Sequence, residues 1–143
     1  MPLVTTVEEV DSPAQITILA LAGELDATSY LDLINEAKTL YDTGTRRLLL
    51  DLTDLRFLSS AGLVSLHGIA LIMRGQAPPD PEAGWGALHS IANEIDDAPV
   101  QEPNYRLLCP QARVQKALET TGFSNFLSIY DERDAALAAF AAA

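Results

Sequence analysis

Two apolar runs of strand length, "QITILALAGEL" (15–25) and "RRLLLDL" (46–52), set the strongest limit on the fold. Nearly every residue in them is apolar, so neither can rest with one face in water. Each reads as a strand buried on both faces. Between them the period changes. Leu31, Ile34, Ala37 and Leu40 recur at helical spacing, with Asp32, Asn35, Glu36 and Lys38 on other faces. Asp26 or Thr28 is placed to cap this helix, and Gly44 follows its end. Strand, crossover helix and a second two-sided strand form the unit of a parallel sheet covered by helices.

The rest of the chain extends that pattern. Residues 3–7 read as a short strand ended by the turn signal "DSP" (11–13), close enough to the next strand to pair with it antiparallel. "SAGLVSLHGIALIMR" (60–74) reads as a helix with a core stripe of Leu63, Leu66, Ala70 and Met73. "YRLLC" (105–109) and "FLSIY" (126–130) read as strands. "PQARVQKALETTG" (110–122) and "DERDAALAAF" (131–140) read as helices, the last capped by Asp131. The expectation is an α/β fold: one domain over 1–143, with a mixed, mainly parallel sheet whose first strand is antiparallel.

One segment breaks the alternation. Residues 76–103 hold five of the eight prolines, six carboxylates and no Lys or Arg. They read as an acidic insert before the fourth strand, with Trp85, Leu88, Ala92 and Ile95 spaced for a short amphipathic helix. An added contribution to partner specificity is expected of it.

Charge narrows the function. Nine Lys and Arg against twenty Asp and Glu give −11, which leaves no broad phosphate-binding face for nucleic acid. A basic protein partner suits that balance better. No secretory signal or membrane-spanning run is visible, and Cys109 is the single cysteine, so a cytoplasmic protein without a disulfide is expected. No glycine-rich phosphate loop or nucleophile elbow is present. His67 in a helix and His89 in the insert have no metal-site spacing, so no enzyme activity, metal or cofactor is expected. His67 reads as a packing or surface residue.

The chemistry concentrates in "FLSSAGL" (57–63). With Ser59 as N-cap, Leu58 and Leu63 have the spacing of a hydrophobic staple, and the Ser59 hydroxyl accepts from the amide of Ala61 or Gly62. Ser60 then falls at the first helical position, where the cap does not need its hydroxyl.

The run "RRLLLDLTDLRFLSSAGLVSL" (46–66) resembles the signature of the STAS family, the bacterial anti-sigma factor antagonists. "GELDA" (23–27) is similar to its earlier Gly-x-x-Asp turn, and "RVQKALETTGFSNFLSIYDERDAAL" (113–137) to its closing portion. The resemblance implies a partner-switching protein. It would bind an anti-sigma factor that is also a serine kinase, be released by phosphorylation, and be restored by a serine phosphatase. The phosphoserine aligns with Ser60, and Ser59 stands where the family usually has Asp, which makes Ser59 the alternative acceptor. The partner-facing set implied is Asp26, Thr53, Asp54, Ser59, Ser60, Ala61, Gly62 and Val64. The alternative within the family is a non-phosphorylated subunit or scaffold of a lipid-transport or signalling complex.

Overall fold

The computed structural model describes residues 3–11, 15–75, 104–122 and 127–142. The expectations for the insert at 76–103, including Trp85 and His89, lie outside these residues, as does most of the turn at 11–13.

Strand β1 (Val4–Val10) pairs antiparallel with β2 (Ile16–Leu25), from Val4 opposite Ala22 to Val10 opposite Ile16. Helix α1 (Tyr30–Asp42) crosses over to β3 (Leu48–Leu58), which lies parallel to β2. Helix α2 (Ser60–Met73) follows. Then come β4 (Tyr105–Leu108), α3 (Ala112–Thr120), β5 (Ser128–Tyr130) and α4 (Arg133–Ala142). The sheet order is β1-β2-β3-β4-β5, parallel after the first pair. The expected α/β class and mixed, mainly parallel sheet are what the chain forms.

The two continuous apolar runs are explained by two cores. Leu19, Leu21, Leu48, Leu50 and Leu52 join α1 and α2 in the larger one. Ile16, Ile18 and Leu49 face the other way, toward Ala136, Leu137 and Phe140 of α4. Alternate side chains of one strand thus enter opposite cores, as the two-residue strand period requires.

Four expectations need correction. The third strand does not stop at Leu52: it continues to Leu58 and takes in Thr53 and Asp54. Its buried positions change to every third residue (Leu52, Leu55, Leu58) because two register shifts against β2 give β3 extra residues, a bulged pairing. Helix α1 starts at Tyr30 with Ser29 at the N-cap, later than Asp26 or Thr28, because those residues close a turn of their own. Its buried stripe is Leu33, Ile34 and Ala37, and Leu31 is exposed. Helix α4 begins at Arg133, so Asp131 lies one residue before the N-cap position; its carbonyl instead accepts from the Cys109 thiol.

Helix α2 is also buried more fully than a single stripe provides. Val64, Ser65, His67, Gly68, Ile69 and Ile72 join the four expected core positions, so the helix is apolar and covered on most of its circumference. His67 is a buried residue, 2% exposed. The Ser65 hydroxyl donates to the Gly62 carbonyl at 2.6 Å, which satisfies one buried polar group within the helix.

The helix-entry serine site

The ends of β2 and β3 meet where α1 and α2 begin. Leu25 pairs with Leu58 in the last register step, and the amide of Ser59 donates to the Leu25 carbonyl at 3.0 Å. That bond pins the entry of α2 to the end of β2. Ser59 is extended (φ −89°, ψ 176°), and its hydroxyl accepts from the Gly62 amide at 3.2 Å. This is the N-cap geometry, chosen between the two candidates in favour of Gly62. Leu58 and Leu63 both enter the main core, as a staple across the cap requires.

Close approach is what Gly62 provides. A Cβ built there meets Leu58 Cδ1 at 2.6 Å and the Leu25 carbonyl oxygen at 2.7 Å. Any side chain would push α2 off the sheet.

Ser60 differs from its neighbour. It is exposed, and its hydroxyl has no hydrogen-bond partner among the described residues. Two adjacent serines therefore have different occupations: one hydroxyl is held by the backbone, the other is available.

Asp26 sits directly after Leu25, beside this junction. Its Oδ1 accepts from the Thr28 amide at 2.9 Å and the Thr28 hydroxyl at 2.7 Å, with the Ser29 hydroxyl at 3.4 Å. The Thr28 hydroxyl, then the Thr28 amide, hold its carboxyl below the usual aspartate value. Ser29 in turn donates to the Glu24 carbonyl at 3.2 Å. The acidic turn is thus fixed rather than loose.

The other candidate residues separate into groups. Ala61 is half-buried next to Ser60. Gly62 and Val64 are buried, and they support the helix entry from beneath. Thr53 and Asp54 are exposed but set back along β3: Asp54 and Leu58 pair with Ala22 and Leu25, three residues apart on β2, about 10 Å at ordinary strand rise. Thr53 is tied to Asp51, whose Oδ1 accepts from its amide at 3.0 Å, and its carbonyl accepts from Gln111 Nε2 at 2.8 Å. The structure brings Asp26, Ser59, Ser60 and Ala61 together and leaves Thr53 and Asp54 apart.

Two apolar residues were not read from sequence as exposed. Phe57 is 36% exposed and pairs in register with Glu24, and Leu31 is 42% exposed in the first turn of α1. The readable signal was the leucine at every third position in "LTDLRFL", which leaves Phe57 outside the buried set.

Comparison with known proteins supports this architecture. Residues 6–74 match the STAS domain model, a span that holds both the Asp26 turn and the serine junction. No curated protein matches the chain in sequence. An anti-sigma factor antagonist from Mycobacterium paratuberculosis superposes with a TM-score of 0.68 at 18% identity, over 97% of this chain and 94% of that one. The anti-sigma factor antagonist SpoIIAA in its unphosphorylated form gives 0.54 at 16% identity, over 93% of each chain. The Bacillus cell fate determinant SpoIIAA in its phosphorylated form gives 0.53 at 16% identity, over 93% of this chain and 96% of that one. Residues 6–74 thus match the STAS domain in sequence, and the described residues have the α/β STAS fold.

Proposed function

We propose that this protein is an anti-sigma factor antagonist whose binding to a serine-kinase anti-sigma factor is switched off by phosphorylation of Ser60. A serine phosphatase reverses the switch, and the protein acts by binding rather than by catalysis. The observation that carries this reading is the division of labour between the two serines. Ser59 is occupied as the cap, whereas Ser60 is exposed at the first position of α2 with its hydroxyl unengaged.

The energetics fit a switch at the interface. A phosphate adds about −1.5 to −2 charge at pH 7. At a helix N-terminus that charge is stabilised by roughly 0.3–1 kcal/mol, so the helix has no reason to melt. The same group in a docked interface is bulky and strongly hydrated, and it adds charge to a junction that already carries the Asp26 carboxylate. A loss on the order of 3–4 kcal/mol there corresponds to binding roughly 150- to 900-fold weaker. SpoIIAA offers a parallel, since its phosphorylated and unphosphorylated forms superpose on this chain almost equally well, at 0.53 and 0.54.

The proposed contact surface is Asp26, Ser59, Ser60 and Ala61, extended by Phe57 and Leu31 and, farther along β3, by Thr53 and Asp54. Gly62 and Val64 shape it from below. A partner face with an apolar pocket and basic rim would complement it.

Phosphosite mapping after incubation with ATP and each purified serine-kinase anti-sigma factor of the source genome tests the reading. One phosphate on Ser60 is expected, lost in Ser60→Ala and retained in Ser59→Ala. Phosphate confined to Ser59, or none with any of these kinases, would overturn it.

A further inference from the structure

Far from the serine junction, a cleft of about 270 Å³ opens between the β1–β2 hairpin and the loop that joins α1 to β3. It is lined by Glu9, Gln15, Thr17, Thr45, Arg46 and Arg47, among others. Thr17, which lines it, is eight residues along β2 from Leu25, about 26 Å at ordinary strand rise. We propose that this cleft is a second binding site, for a small phosphorylated metabolite that also carries a hydroxyl or ammonium group. The proposal is independent of the reading of Ser60.

Charge is the first argument. The chain has nine cationic side chains against twenty carboxylates, yet two consecutive arginines line this one cleft. Arg46 is held in place by its own surroundings. Its guanidinium lies 3.8 Å from the centre of the Tyr41 ring, and Nη1 donates to the carbonyls of Tyr41 (2.7 Å) and Thr45 (2.9 Å). Those bonds cap the end of α1 but leave Nη2 and Nε without a partner among the described residues. Arg47, half-buried, has no side-chain partner among them either. A fixed planar fork in a cleft also lined by a second arginine suits a dianionic phosphate better than a carboxylate.

Polarity is the second. Thr17 is only 6% exposed and interrupts the otherwise apolar stretch 16–22 of its strand. Its hydroxyl meets that of Thr45 at 3.1 Å. One proton serves that bond, so the other hydroxyl proton remains for a ligand. Gly44, at φ +120°, has nothing within 4 Å of a built Cβ, so the rim there stays open. Glu9 supplies only acceptor oxygens, which oppose a bare phosphate but would accept from a ligand hydroxyl or ammonium. A volume near the lower end of the range for organic ligands, about 300–1,000 Å³, restricts the occupant to a small metabolite.

The test is an amide NMR titration of the full chain with inorganic phosphate, beside sodium acetate and sodium chloride at matched ionic strength. Saturable shifts are expected at Gln15, Thr17 and Thr43–Arg47 with phosphate, with a Kd on the order of 1–10 mM. Arg47→Gln should weaken phosphate roughly fivefold or more through loss of a charged donor, at an unchanged melting temperature. Glu9→Gln should strengthen it about two- to threefold by removing a like charge. The Glu9 variant keeps the test decisive should Arg47→Gln not fold. Shifts that do not saturate, shifts reproduced by acetate or chloride, or affinities unaltered in the folded variants would overturn the site.

Discussion

At the scale of single residues, the two serines set opposite expectations for stability. Ser59→Ala removes the acceptor of the Gly62 amide, and loss of such a cap costs about 1 kcal/mol. Ser60→Ala removes an exposed hydroxyl with no described partner, so a change within about 0.5 kcal/mol is expected. Urea unfolding of both variants reads the difference directly, and equal losses would contradict the assignment. Asp26 makes a second residue-scale case. Its carboxyl is held low by Thr28, so its ionised form favours the folded state. That contribution is present above the unfolded aspartate value and is lost as pH falls through the lower, folded one. Carboxyl NMR titration of Thr28→Val should show the Asp26 pKa rising toward its ordinary value; an unmoved titration would contradict the hydrogen-bond account. The cap was legible in the sequence because N-cap chemistry is local. The occupation of Asp26 was not, because a carboxylate before a helix can cap the helix or close the preceding turn, and only the position of Thr28 decides.

Among the elements, α2 and β3 carry the site, and Gly62 is the point at which they are locked. Adding a methyl there gains about 1 kcal/mol of helix propensity but drives the group against the Leu25 carbonyl oxygen. Overpacking costs about 1–3 kcal/mol, and a backbone obstacle yields less than a side chain. Gly62→Ala is therefore expected to lose about 1–2 kcal/mol net in chemical denaturation, and a stabilised variant would contradict the close approach. The same elements show what sequence patterning can resolve. The two-sided strands were visible because continuous apolar runs have few other solutions, and the crossover helices followed from the change of period. The extension of β3 through Thr53 and Asp54 was hidden. Two register shifts against β2 replace the two-residue alternation there with leucines at every third position, which matches no single strand pattern. The near-complete burial of α2 was hidden too, since Ser65 and His67 give it polar positions that turn out to be covered.

Across the whole molecule, the parallel sheet delivers the C-terminal ends of β2 and β3 to one edge, where α1 and α2 start. Acidic turn, capped helix and available serine are thereby collected from separate parts of the chain. The net charge of −11 implies that association with a basic partner slows as salt rises, through screening of long-range attraction. The central claim is that Ser60 governs binding without supporting the fold. Calorimetric affinity for the cognate anti-sigma factor, measured on wild type and Ser60→Glu alongside their melting temperatures, tests it most directly. The account expects binding weakened by roughly 150-fold or more, corresponding to at least about 3 kcal/mol, with melting essentially unchanged. Undiminished binding by Ser60→Glu, or a large fall in its melting temperature, would contradict it.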